Sequence, residues 1–364
     1  MNKEVPLREK AFWSRSLTRV SIEERVLFAK HLSMILRSGI STLEGLKLIR
    51  SQVKSRNFRR ILQEAIQRVE NGHTLSDALA SNVRAFGELF INVINLGEMT
   101  GTLSENLNFL ANELRKSKQL RSKIMGALVY PIILLFATAG IVGVLVFLII
   151  PKILPIFVSL KAELPLTTRI LIKSADFLKE NYVLVLIGVV LLVFSFIFSS
   201  SVPKIKKFYQ MILLGIPIAG HVYLNYMSAN ITRTLGLLLK SGFKIVEAVS
   251  TTAASITSLP HREALMELAL GVQRGEAMGD VLGRHERLFP ATFQRMVEVG
   301  ERTGNLEPNL TYLSEFYEDE VDYALRTLSS TLEPVMLVLM GGIVAFVSVS
   351  IIAPIYQVTQ TLSR

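Results

Sequence analysis

The chain has 364 residues, half of them are hydrophobic, and its mean hydropathy is +0.41. Soluble proteins of this length rarely reach such values, so part of the chain is predicted to lie in lipid. Cysteine is absent, which excludes disulfide bonds, thiolate metal sites and cysteine nucleophiles, and the formal net charge is +10.

Residues 1–21 form a short basic segment without an apolar run or a small-residue cleavage site, so it is not predicted to be a secretory signal. Residues 22–123 carry apolar side chains every three to four positions, as at Phe28, Leu32 and Ile35, which predicts a module of short α-helices. A hydroxyl residue precedes an acid by three positions at each of four predicted helix starts. These pairs are Ser21 with Glu24, Ser41 with Glu44, Thr74 with Asp77, and Thr102 with Glu105.

Three stretches are long and apolar enough for transmembrane helices, which need about 20 residues. They are residues 124–151, 182–203 and 334–358. Between and after them the sequence predicts an external loop at 152–181, a second helical module at 204–333 and a C-terminal tail at 359–364. Lysines and arginines precede the first span and follow the second, which favours both modules on the cytoplasmic side of the membrane.

An internal repeat organises the chain, because one constant offset of 203 residues aligns landmark after landmark without a gap. The first copy contributes Gly39, Gly72, Gly97, Glu98, Gly101, Pro131 and Pro151, and the second contributes Gly242, Gly275, Gly300, Glu301, Gly304, Pro334 and Pro354. The predicted fold is therefore all-α, with two repeated helical modules and three transmembrane helices. The unpaired second span is explained as the return crossing that brings both modules to one side.

The motif Gly-Glu-x-Thr-Gly occurs at residues 97–101 and again at 300–304. A catalytic glutamate is one interpretation of Glu98 and Glu301. Acid-base catalysis would require a second group beside the glutamate, but no histidine, serine or second acid accompanies it in both copies. The favoured interpretation is structural: the two glycines form a tight turn between helices, and the carboxylate binds turn amides or an arginine.

The helices that lead into the first and third spans are opposite in charge. Arg115, Lys116 and Lys118 stand in the first copy and are predicted to form a partner surface. The second copy instead has an acidic run, which is either a solvated face or a site for a cation or a basic partner. That run is Glu315, Glu318, Asp319, Glu320 and Asp322. The two helices could attract each other within the chain or across an oligomer.

Several classes of chemistry lack their motifs. No loop ends in Gly-Lys-Ser/Thr, so no phosphate-binding loop for ATP is predicted, and no cofactor is expected. The histidines lack metal-ligand spacing and are interpreted as surface or interface residues. They are His31, His73, His221, His261 and His285. The three spans contain no ionisable residue, which argues against transport, and nucleic acid is not expected as a ligand.

Together the duplicated module, the three spans and the Gly-Glu-x-Thr-Gly turn resemble the GspF/PilC family of type II secretion and type IV pilus platform proteins. The run from Lys123 to Pro151, with Tyr130-Pro131 and Ile149-Ile150-Pro151, is similar to the family's signature around its first span. The resemblance implies a non-enzymatic, homo-oligomeric inner-membrane platform. Its implied partners are a cytoplasmic secretion or pilus ATPase, pilin-like subunits, other inner-membrane assembly proteins and the lipid bilayer.

Two other functions compete with this platform: a membrane transporter or permease, and a receptor with helical cytoplasmic domains. Uncharged spans count against the first, and an external loop of only about 30 residues counts against the second.

Overall fold

The computed structural model describes residues 20–144 and 203–362, together with isolated positions between 148 and 188. Within these residues the chain is helical and contains no strand, so the all-α prediction is confirmed. The predicted second span at 182–203 and Pro151 lie almost wholly outside the described residues.

The first module consists of short helices that end in one long helix. Their bounds are α1 Ile22–Arg37, α2 Thr42–Gln52, α3 Arg56–Glu70, α4 Leu75–Ala80, α5 Val83–Phe86, α6 Glu88–Thr100 and α7 Leu103–Val144. The helix α8, Pro203–Gly215, opens the predicted second module.

The second module repeats this order, except that its described residues contain no counterpart of α5. Its helices are α9 Pro217–Lys240, α10 Ile245–Ser255, α11 Leu259–Gln273, α12 Met278–Gly283, α13 Ala291–Thr303 and α14 Leu306–Leu362. From α10 to α13 each helix begins and ends 203 residues after its counterpart in the first module. The duplication predicted from the sequence is therefore also a duplication of structure.

Side chains cap α1, α2 and α4 where the sequence predicts. Ser21 and Glu24 form a complete capping box at the start of α1, because the Ser21 hydroxyl accepts from the Glu24 amide and the Glu24 carboxylate accepts from the Ser21 amide. Ser41 accepts from the Glu44 amide in the same way at α2. Such bonds satisfy amides that have no partner within the helix, which fixes where each helix begins.

A cluster of aromatic rings forms the core of the first module. Phe28, Phe58, Phe86 and Phe90 are fully buried, and neighbouring ring centroids lie 5.1 to 6.1 Å apart. Their distances and tilts are those of favourable edge and offset contacts. Four separate helices contribute these rings, so the cluster ties α1, α3, α5 and α6 into one bundle.

The described residues form two compact units. One unit contains the described residues up to Ser122 together with Gln210–Asp322, so both helical modules belong to it. The other contains the described residues of Lys123–Tyr209 and of Tyr323–Arg364. In the second unit most apolar side chains of α7 and α14 are exposed, as expected of helices that face lipid.

Among the described residues, two helices are long and apolar enough to cross a membrane, within Leu103–Ile141 and Leu306–Ser350. A bent pair, Ile205–Gly215 and Ala219–Lys240, would count as a third candidate if its 112° break lay within one span. The second half of this pair has a different reason to be apolar. Ala229, Ile231 and Leu238 are fully buried in the core of the module unit, so they do not face lipid.

Candidate interaction surfaces and the Gly-Glu-x-Thr-Gly motif

Glu98 joins two helices of the first module. It lies in the last turns of α6, and its two carboxylate oxygens accept hydrogen bonds from the backbone amides of Leu75, at 2.6 Å, and Ser76, at 2.8 Å. These amides open α4, whose next amide, that of Asp77, is bound by the Thr74 hydroxyl. Because the first amides of a helix have no partner within it, a carboxylate at this place both satisfies them and favours the helix dipole.

Glu301 has the same position in the second module but makes fewer bonds. One of its oxygens accepts from the Met278 amide at the start of α12, at 2.8 Å. The cap position of α12 is Ala277, which has no side chain able to accept a hydrogen bond. Each glutamate thus caps a short helix that begins more than 20 residues earlier in the chain. The carboxylates therefore have a structural role.

The glycines of the motif have two different functions. Gly101 and Gly304 end their helices in the left-handed region, with φ of 73° and 69°, which glycine adopts without strain. Gly97 and Gly300, predicted as turn residues, instead lie within α6 and α13, and that part of the prediction is wrong. A Cβ at Gly97 would come within 2.9 Å of the Leu103 Cα, so glycine is needed there for close helix packing.

Most of the other landmark residues lie at helix ends or within helices. Gly39, Gly72, Gly242 and Gly275 all have φ between 81° and 95°, and each follows a helix. Pro131 lies inside α7, and Pro334 and Pro354 lie inside α14. These positions are compatible with the structural role predicted for the residues. Their effect on the stability of the protein stays a prediction.

An ionic cluster joins the two modules within their common unit. The guanidinium of Arg233, in α9, contacts Glu318 of α14 and lies 3.4 Å from Glu113 of α7. The Arg233 side chain is 5% exposed, and the two carboxylates are about one quarter exposed. Glu318 also accepts from the Ser314 hydroxyl. The cluster was not predicted, because no local pattern shows that Glu113 and Arg233 meet across the module boundary.

A cavity of about 420 Å³ lies beside this cluster, between α7, α9 and α14. Its lining includes Phe109, Glu113, Arg115, Lys116, Arg233 and Lys240. The Lys240 ammonium stands over the Phe109 ring, 4.6 Å from its centroid. A cation in this position is attracted by the face of the ring, so the contact adds to the attachment of one module to the other.

The three cations predicted as a partner surface are partly engaged within the chain. Lys116 pairs with Glu315 of the second module at 3.7 Å, and Lys118 pairs with Glu23 of α1 at 2.7 Å. Arg115 lines the cavity. The attraction expected between the oppositely charged helices therefore occurs within the chain at Lys116 and Glu315. Exposed pairs of this kind contribute only about 0.2 to 1 kcal/mol each.

One histidine lies in the core of the second module. His261 is fully buried, and its ring packs edge-on against Phe289 with a centroid distance of 5.8 Å. The prediction that the histidines are surface or interface residues is therefore wrong for His261, which takes the place held by Phe58 in the first module. Burial lowers the pKa of His261 to about 4, with a backbone hydrogen bond to Leu288 acting in the opposite direction. The ring is thus neutral at physiological pH.

Within the part of the chain that the structure describes, no group of three or more histidine and acidic side chains could hold a metal ion. The acidic run of α14 is divided among different neighbours, since Glu315 pairs with Lys116 and Glu318 with Arg233.

Comparison with known proteins agrees with the repeat. The family model described as type II secretion system protein F matches the chain twice, at residues 28–151 and 231–354. A type IV pilus assembly protein PilC from Thermus thermophilus is 32% identical over 342 residues, which are 94% of this chain and 84% of that protein. A PilC from Myxococcus xanthus is 30% identical over 91% of this chain and 79% of its own length. A type II secretion system protein F from Vibrio cholerae is 26% identical over 95% and 85%.

Proposed function

The chain belongs to the family of type II secretion system protein F, and we propose that it couples a cytoplasmic secretion ATPase to the assembly of pilin-like subunits. The family membership itself implies an inner-membrane platform in a secretion or pilus machine. The observation that carries the proposal is the double match of the family model, which covers most of each module and the predicted span that follows it.

The proposed platform is a scaffold and not a catalyst. The motif glutamates support this interpretation, because Glu98 and Glu301 are engaged with backbone amides at helix starts. The Glu98 carboxylate, which already accepts two amide hydrogen bonds, is poorly placed to accept a proton from a substrate. The work of subunit movement would then come from the bound ATPase, and this chain would transmit it.

We place both modules, residues 22–123 and 204–333, in the cytoplasm. The basic residues that flank the spans and the unpaired second span support this topology. Reporter fusions after Glu113 and Glu320 should give a cytoplasmic signal, and a fusion after Lys161 an external one. Opposite signals from the two modules would contradict the proposed topology.

The ATPase is proposed to bind near the basic helix α7. We would replace Arg115, Lys116 and Lys118 by glutamate together and isolate the full-length protein from membranes in mild detergent. The bound ATPase should fall, whereas the amount of inserted protein should not. A matched control reverses Lys54, Arg56 and Arg84, which are exposed elsewhere on the first module. Equal loss in both triple variants would indicate a general charge effect and contradict this contact.

The alternatives predict different results from the same preparation. A transporter would move a small solute in proteoliposomes without any ATPase or pilin-like protein present. A receptor would bind a ligand through its external residues. The uncharged spans favour neither of these functions.

A further inference from the structure

The two modules contact each other through different faces. In the first module the contact uses α6 and α7, whereas in the second it uses chiefly α9 and α10, with one further ion pair from Lys116 of α7 to Glu315 of α14. Leu96 of α6 approaches Gly242 so closely that its Cδ2 would lie 3.9 Å from a Cβ there. Lys240 of α9 covers Phe109 of α7. Such a head-to-tail contact differs from a symmetric one, because each partner still carries a counterpart of the face that the other has used.

The counterpart faces are exposed and partly apolar. On the second module, Val299 and Tyr312 correspond to Leu96 and Phe109 and are 49% and 58% exposed. On the first module, Met34 and Leu48 are also exposed, whereas the corresponding residues of the second module are buried. These are Leu237 and Thr251, at 5% and 8% exposure.

The chemistry of the two exposed faces is complementary. Arg37 stands on the first module where the second has Lys240, and Tyr312 stands where the first has Phe109. The cation-over-ring contact seen within the chain can therefore form again between Arg37 of one copy and Tyr312 of another. The charges of the modules also attract, because residues 1–123 hold 21 basic and 12 acidic side chains whereas residues 204–333 hold 13 and 15.

We propose that the α13 and α14 face of one copy binds the α1 and α2 face of a second copy. This contact continues between chains the interface that already joins the two modules within one chain. A head-to-tail contact leaves a free face at each end, so it closes into a ring or continues until all faces are filled. The occupant of each face is thus the opposite face of this same protein.

The natural absence of cysteine makes a crosslinking test direct. We would introduce Ser38→Cys, beside Gly39, into one tagged copy and Val299→Cys into a second copy with another tag. The full-length chains are co-expressed, and their membranes are treated with a short bis-maleimide. The mixture should give a dimer that carries both tags, and each variant alone should give little. A chain with both substitutions should give a ladder or one closed species.

Controls fix the geometry and the side-chain chemistry. The pair Leu96→Cys with Ser241→Cys reproduces the contact within one chain and should crosslink without an increase in mass. Lys54→Cys in place of Ser38→Cys should give no dimer, because Lys54 lies outside the proposed face. Tyr312→Asp should lower the dimer yield roughly tenfold, and Tyr312→Phe should preserve it.

Three results would overturn the proposal. Self-crosslinking of Ser38→Cys alone, as strong as in the mixture, would indicate a symmetric contact. A crosslink between positions 38 and 299 that stays within one chain would show that the chain covers its own face. Absence of the mixed dimer in membranes where the Leu96 and Ser241 control crosslinks fully would show that the faces have other occupants.

Discussion

The carboxylate of Glu98 offers a sharp test of the structural interpretation of the motif. In Glu98→Gln the side chain keeps its shape, and its amide oxygen can still accept from one of the two backbone amides of α4. The amide nitrogen then faces the other N–H, so one donor loses its acceptor. A hydrogen bond to a charged group contributes about 1.5 to 3 kcal/mol, and water can partly replace it at this half-buried place. We expect α4 to lose about 2 kcal/mol of local stability.

Hydrogen exchange measured by mass spectrometry on the full-length protein in detergent would report this loss. A change of about 2 kcal/mol in the free energy of opening accelerates exchange roughly 30-fold when the opening equilibrium sets the exchange rate. The acceleration should be confined to peptides that contain Leu75–Ala80, because α4 has only six residues and cannot stand without its caps. Glu88→Gln, at an exposed position of the same helix as Glu98, is the matched control and should leave exchange in α4 unchanged.

The second copy provides an internal comparison. Among the described residues Glu301 accepts a single hydrogen bond, from the Met278 amide, and the side-chain oxygen of a glutamine can retain it. Glu301→Gln should therefore cost less, about 1 kcal/mol, with faster exchange confined to Met278–Gly283. Unchanged exchange of α4 in Glu98→Gln, with the protein folded, would refute the capping interpretation and return the glutamate to the candidates for catalysis.

Three further predictions follow from the packing of the modules. The free energy of unfolding should fall by up to about 3 kcal/mol as pH drops from about 6.5 to about 4, because His261 is protonated in the unfolded chain but stays neutral when buried. His261→Phe should remove this component from pH-dependent melting curves. Gly97→Ala should destabilise the protein by about 2 kcal/mol through its clash with the next helix, and Gly101→Ala by about 1 kcal/mol through backbone strain, as measured by melting; equal or no effects would contradict the two functions assigned to these glycines. Arg233→Met should cost about 3 kcal/mol, because two carboxylates lose their shared cation, and exchange should rise on both sides of the module contact; a rise in only one module would argue against a joint between them.

Local patterns predict the helices well in this chain. The capping box of Ser21 with Glu24 and the cap of Ser41 depend on residues three apart, so the sequence alone contains all the information required. The offset between the copies was also visible in the sequence, because each turn that needs a positive φ has a glycine and these glycines recur at equivalent positions. Residues close in sequence determined these features, and they were therefore predictable.

Contacts between distant residues were not predictable in the same way. Glu98 was expected to bind amides of its own turn or an arginine, but it reaches amides more than 20 positions earlier. Arg233 meets Glu113 although the two residues lie far apart in the chain, and periodicity carries no information about such a pair. His261 resembled any solvated histidine until its neighbours were placed. Only its alignment with Phe58 signalled a core position, and that signal was present in the repeat.

The joining of both modules in one polypeptide changes how strong the contact between them has to be. Two separate proteins that met through the same interface, the seam that contains Arg233, would have to associate at the low concentrations found in a cell. Tethered partners instead experience an effective concentration on the order of millimolar, so an intrinsic affinity of about 5.5 kcal/mol, or a Kd of about 0.1 mM, keeps the seam about 90% closed. A polar seam with a charged centre can be this weak and still hold. The tether thus permits a joint that opens at low cost, whereas a free dimer of the same modules would need a far more apolar interface.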